Sequence, residues 1–186
     1  MNCAVPVQRS PLCTHRVHSR AIPTVPHTVQ RPPRLVVVFD VERDPTAVEL
    51  GLFVPQPPAA VWRALTEPAL LERWLASTIG FATEVGTTFI LEIPADPPAE
   101  VACQVLTVDH GRRFTHSYTD LRGNPPARWF VDWRLEPQGR GTRVLLTHSG
   151  FDLDDRLQKM ARNAIERGWR NRLLPRLTDV VADVGL

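Results

Sequence analysis

The chain has 186 residues, 43% of them apolar, and a formal net charge of +2 at neutral pH, which sets the expectation of one globular domain with a tail. The charge is uneven: residues 1–34 hold five arginines and no acid, while the remainder holds 17 basic and 20 acidic residues. A mildly acidic folded part excludes a nucleic-acid-binding body, and the lack of any apolar run near the roughly eighteen residues of a membrane span excludes that too.

Residues 1–34 also hold six prolines and three histidines, without apolar periodicity. Such a segment buries too little surface to offset its ordering entropy, so a disordered Pro/Arg-rich tail is expected. Prolines and arginines interrupt every candidate core of a secretory signal, and the prolines disfavour the amphipathic helix of a transit peptide. A basic interaction arm and an extension without function of its own remain, and the composition favours the second. Cys3 and Cys13 lie in this tail and Cys103 in the folded part. No internal disulfide can staple the domain, and a reducing, cytoplasmic setting is the expectation.

Residues 35–39 are β-branched and read as an extra strand or a linker, ended at Asp44-Pro45. Residues 47–54 alternate as a strand and stop at prolines. Pro57 or Pro58 then opens a short helix with Val61, Trp62 and Leu65 on its inner face. Pro68 opens a second, carrying Leu70, Leu71, Trp74 and Leu75 at three-to-four spacing. Strands are expected at 87–93, 100–108, 113–119, 128–135 and 142–148. Asp109-His110-Gly111 and Gln138-Gly139-Arg140-Gly141 supply hairpin turns, so the sheet is antiparallel. In the fourth of these runs Trp129, Val131, Trp133 and Leu135 share one face, and Arg128, Asp132, Arg134 and Glu136 the other. That alternation marks one buried and one wet side, with Phe130 the exception. The C-terminal segment reads as a helix capped by Asp152, with Leu153, Leu157, Met160, Ala164 and Gly168 as its inward stripe. The stripe shifts by one at Trp169 and resumes through Leu173 and Leu177. About thirty residues at ~1.5 Å each cross a whole sheet, and Pro175 is expected to kink the helix.

The run Val61-Trp62-Arg63-Ala64-Leu65-Thr66-Glu67-Pro68, continuing to Leu71 and Trp74, resembles the opening of the activator of heat-shock protein 90 ATPase homologue-like domains, a branch of the START-like (SRPBCC, helix-grip) superfamily. Residues 141–151, Gly-Thr-Arg-Val-Leu-Leu-Thr-His-Ser-Gly-Phe, resemble that branch's last strand, and Gly168-Trp169 a pair in its closing helix. The likeness runs over roughly residues 46–184. It implies an α+β helix-grip fold over 46–186: a curved antiparallel β-sheet wrapped around a long C-terminal α-helix, with two short helices after the first strand.

No Gly-rich phosphate loop, Cys-x-x-Cys, His-Glu-x-x-His or Gly-x-Ser-x-Gly is present. His110, His116 and His148 are too scattered to mark a metal site by spacing. No cofactor and no catalytic constellation is expected. A function inside the fold belongs between the concave sheet face and the long helix. Strand parity nominates Phe114, His116, Tyr118, Trp129 and Trp133 there, with His148 if Val144 and Leu146 face inward. Core packing is the ordinary role for Trp62, Trp74 and Trp169, and a satisfied structural position that for His116 and His148. Asp132, the nearest acid to Trp133, has the wrong parity for a His–Asp dyad on that face. The resemblance implies non-catalytic binding of a small hydrophobic molecule as the first expectation. A polyketide cyclase or aromatase using His116, Tyr118 and His148 is the alternative, and a chaperone partner ranks last.

Overall fold

The computed structural model describes residues 38–40, 44–94 and 97–184; the expected disordered tail at 1–34 lies outside the described residues. Among the described residues eight strands form one antiparallel sheet in the order β1-β2-β8-β7-β6-β5-β4-β3. Strand β1 is Val38–Asp40 and β2 is Ala47–Val54, joined in register at Phe39 and Gly51. Helices α1 (Pro58–Thr66) and α2 (Pro68–Trp74) follow, each with a proline in its first turn, where the missing N–H has no intrahelical acceptor. Strands β3 (Ser77–Ile79), β4 (Thr88–Ile93), β5 (Ala99–Asp109), β6 (Arg113–Asp120), β7 (Ala127–Gln138) and β8 (Gly141–Ser149) run on as a meander. Strand β8 then closes against β2, pairing Leu146 with Leu50 and His148 with Val48.

Turn chemistry sets the hairpins. Gln138 pairs with Gly141 across a two-residue loop in which Gly139 has φ 59° and Arg140 does not have positive φ. Only the first central residue needs the left-handed region, as in a type II′ turn. Gly141 is required for a different reason. A Cβ there would collide with the Val54 carbonyl oxygen, where β8 pairs with the end of β2.

One face of the sheet is apolar along every long strand. Leu50 and Leu52, Val101 and Cys103, Trp129 to Leu135 at alternate positions, and Val144 and Leu146 are all buried. The opposite face of β6 and β7 is charged: Asp132 accepts from Arg113 Nε (2.7 Å), Thr115 Oγ1 (2.7 Å) and Arg134 Nε (2.9 Å). Phe130, on that wet face, has the Arg128 guanidinium 5.8 Å from its ring centroid.

The C-terminal helix runs as α3 (Arg156–Gly168), one π turn (Trp169–Leu173) and α4 (Leu174–Val184). Leu174 N–H reaches back five residues to the Trp169 carbonyl, which inserts one extra residue and rotates the face that follows. The apolar stripe keeps α register through Ile165 and Trp169, so the slip expected at Trp169 falls after it, between Trp169 and Leu174; Pro175 lies two residues past the π turn. Two expectations for α3 need correction. The cap is Asp155, whose Oδ1 accepts from Leu157 N (2.8 Å), while the Asp152 carboxylate accepts from Asp154 N (2.9 Å), outside the helix. The inward stripe is also displaced. Leu157 is 75% exposed and Met160 59%, while Leu153 packs on the core and Ala164 and Gly168 border the space under the helix as expected; Ala161, Arg162, Ile165 and Trp169 complete the inward face. The cause is Arg162, buried to 9% exposure, which donates from Nε to the Pro45 carbonyl (3.1 Å) and from Nη2 to the Ala47 carbonyl (2.8 Å). An apolar count treats arginine as a solvent residue and cannot find a helix face set by backbone carbonyls.

Replacing Arg162 with methionine keeps the aliphatic stem but removes both carbonyl bonds. Urea unfolding should show a loss of about 2–3 kcal/mol, against under ~0.5 kcal/mol for R167A on the exposed side of α3.

Candidate functional site

Between the apolar sheet face and the helix lies a cavity of ≈ 220 Å³. Its sheet wall is Tyr118 on β6, His148 on β8 and Ile93 at the end of β4; Leu75, after α2, closes one side. The helix wall is Ala164, Ile165, Gly168, Trp169, Arg172 and Leu173, so the π turn forms much of it. Two causes leave the space open. Gly168 carries no side chain, and a Cβ built there would meet no atom within 4 Å. The π turn rotates the residues after Trp169 and sets Arg172 and Leu173 at the cavity wall, while Trp169 at its start donates from the indole Nε1 to His148 Nδ1 at 3.1 Å.

Tyr118 and His148, two of the residues nominated from strand parity, border this cavity, their rings 5.0 Å apart. Trp129 stands beside them, stacked on Tyr118 at 6.0 Å and against Phe151 at 4.8 Å, its Nε1 donating to Gln158 Oε1 (3.2 Å). Phe114, His116 and Trp133 are elsewhere. They surround a separate void of ≈ 20 Å³ together with Trp74 and Phe89. Trp133 meets Trp74 edge-on at 5.8 Å and Trp169 edge-on at 5.6 Å. Trp74 sets the α2 position by donating to the Ala64 carbonyl at 2.9 Å. The wall contributed by the helix was not nominated from the sequence, where Trp169 counted as core. It is indeed buried, at 4% exposure, yet it also lines the cavity.

The inner face is electrically neutral. Burial pushes the His148 imidazolium down to about 3, with His116 adding a smaller push in the same direction. Burial likewise pulls His116 to about 4, although the bond between its Nδ1 and the Ser117 carbonyl (2.9 Å) acts in the opposite direction. Both rings are uncharged at neutral pH. Burial, then the charge of Asp120, raises the Tyr118 phenol well above its ordinary value. Burial alone drives the Cys103 thiol up to about 12, so it is an inert thiol. Asp132 faces away. Burial opposes its charge, but bonds from Arg113, Thr115 and Arg134 outweigh burial and hold it below the usual carboxylate range. Among the described residues no group of three His, Cys, Asp or Glu side chains could hold a metal ion, and no helix is long and apolar enough to cross a membrane.

An antiparallel sheet gripping a helix broken by a π turn, with two proline-opened helices after β2, defines the helix-grip class. Residues 55–182 match the family described as Activator of Hsp90 ATPase homolog 1-like protein, and the chain belongs to it. A crystal structure of a protein from Mesorhizobium loti is 29% identical, with a TM-score of 0.67, covering 75% of this chain and 99% of its own. One from Chromobacterium violaceum is 19% identical, with a TM-score of 0.63 over 74% of this chain and 98% of its own. A protein of the dynemicin biosynthetic locus is 18% identical with a TM-score of 0.62, covering 75% of this chain but 48% of its own. At such identities the last two share the fold alone. No curated protein matches the chain.

The histidines make stability depend on pH in a defined window. Each has a folded pKa below the ordinary 6.5, so the unfolded chain takes up protons first as pH falls. Stability is full above pH 6.5 and is lost as pH falls from there toward 4 and then 3. Asp132 and Asp120 act in the same direction only below about 3.8. Thermal melts should therefore show Tm level above pH 7 and falling between pH 6.5 and 4, with a shallower fall in H116F.

Proposed function

We propose that this protein binds a small hydrophobic molecule, without chemical change, in the cavity between β6, β8 and the π turn. The observation that carries the reading is the cavity itself: a ≈ 220 Å³ space with an apolar wall in an otherwise close-packed core. Leu75, Ile93, Ala164, Ile165 and Leu173 supply that wall, and Tyr118 and His148 bring polar atoms to it. Family membership supports the same reading.

A cyclase-like reaction needs a base at the cavity, and the geometry of His148 argues against it. The Nδ1 lone pair is taken by the Trp169 indole, and an imidazole with so low a pKa is a weak proton acceptor. His116, the other nominated base, lies at the smaller void. Surface docking to a chaperone has no observation in its favour beyond the family's name. Cys103, a buried free thiol, accords with a reducing, cytoplasmic setting.

Indane, an apolar bicycle, serves as the probe. It should bind by calorimetry and raise Tm by about 2–5 °C at roughly ten times its Kd. G168F places a ring in the open space beside the helix and should weaken binding at least about ten-fold without lowering the ligand-free Tm. An unmoved Tm and no heat for the unaltered chain overturn the reading.

A further inference from the structure

The Trp169–His148 contact determines which proton His148 carries. An indole N–H can only donate, so the Nδ1 it meets at 3.1 Å must offer a lone pair. A neutral imidazole has one proton, which therefore sits on Nε2. That atom is buried and has no hydrogen-bond partner in the structure. An unpaired buried donor carries a desolvation cost that native structures rarely leave unrelieved.

The surrounding wall offers it no relief. Leu75, Ile93, Ala164, Ile165 and Leu173 have no polar side-chain atom, and Gly168 has no side chain. The remaining polar side chains are Trp169, Arg172 and Tyr118. Trp169 and Arg172 only donate, and the Tyr118 hydroxyl makes no hydrogen bond to His148. Arg172 is exposed at the rim. The cavity is apolar in shape and donor-rich in polarity, a combination complementary to a carbonyl compound and not to an alkane or an amine.

Resting on the binding function above, we infer that the ligand is an apolar carbonyl compound, a ketone or ester, whose oxygen accepts from His148 Nε2–H. Trp169 is a positioning residue: it touches the ring of His148 and selects the tautomer that presents this donor. The same arrangement excludes protonated amines, which would meet a donor at the buried end.

The test compares indanone with indane, which differ by one carbonyl, by calorimetry on the full chain. The ketone is the better hydrated of the two, so burial alone favours indane. Indanone should nonetheless bind about ten- to a hundred-fold tighter, and in H148L the ratio of the two affinities should fall to about one or below. Nitrogen-15 spectra of the unaltered chain give a readout independent of variant folding. His148 should show an unprotonated Nδ1 and a protonated Nε2, the Nε2 resonance should shift with indanone but not with indane, and W169F should turn the single tautomer into a mixture. Equal binding of the two probes, or a protonated Nδ1, overturns the inference and leaves the binding function standing. Failure of both probes to bind overturns both.

Discussion

The hydrogen bond from the Trp169 indole to His148 Nδ1 joins the two halves of this molecule where they would otherwise only touch. It links the last strand to the closing helix inside the core, and both partners are almost fully buried. Trp169 reaches His148 from the end of α3, on the stripe of Ala161 and Ile165, and its own N–H still bonds to the Ile165 carbonyl. The π turn begins there and rotates the residues that follow, so Arg172 and Leu173 wall the cavity beside Gly168 while Leu174 enters the core. The bond fixes the His148 tautomer, and the π turn sets the helix register beyond it.

Polar chemistry is segregated across the sheet. The outer face of β6 and β7 carries a charged network centred on Asp132, with Arg113, Arg134 and Thr115 as its donors. The inner face carries two histidines that are neutral because they are desolvated, not because they are ion-paired. A charged group taken into that space would meet no counter-charge until it reached Arg172 at the rim, and burying an unpaired charge is costly. Under the proposed binding function, a preference for uncharged molecules would belong to the whole inner face. Aromatic packing around Trp74, Trp133 and Trp169 holds the wall rigid, with edge-on ring contacts that resist rotation.

Much of the architecture was legible in the chain because it depends on nearest neighbours. The alternation Trp129, Val131, Trp133, Leu135 against Arg128, Asp132, Arg134 shows a strand and assigns its two faces. Pro58 and Pro68 mark helix starts because a residue lacking N–H forfeits no intrahelical bond in the first turn. The π turn was not located this way: the slip expected at Trp169 falls after it, between Trp169 and Leu174, because the stripe before it runs through Ala161 and Ile165. Other features were illegible for equally specific reasons. Asp152 and Asp155 are both adequate caps, and only the path of the chain after Phe151 decides that Asp155 is used. Arg162 faces inward because the carbonyls of Pro45 and Ala47, over a hundred residues earlier, converge on it.

The same division holds for the site. Strand parity placed Phe114, His116, Tyr118, Trp129, Trp133 and His148 on one face, and that face is correct for all six. Parity resolves faces but not distances along the sheet, so it could not separate Tyr118 and His148, at the cavity, from Phe114, His116 and Trp133, in the packed core. The amino-acid order by itself determined the sheet, its wet and dry sides and the two proline-opened helices, because backbone periodicity and turn chemistry act over a few residues. Where the helix lies on that sheet, which histidine nitrogen is left without a partner and where space remains were decided only by tertiary packing, since each depends on side chains brought together from distant parts of the chain.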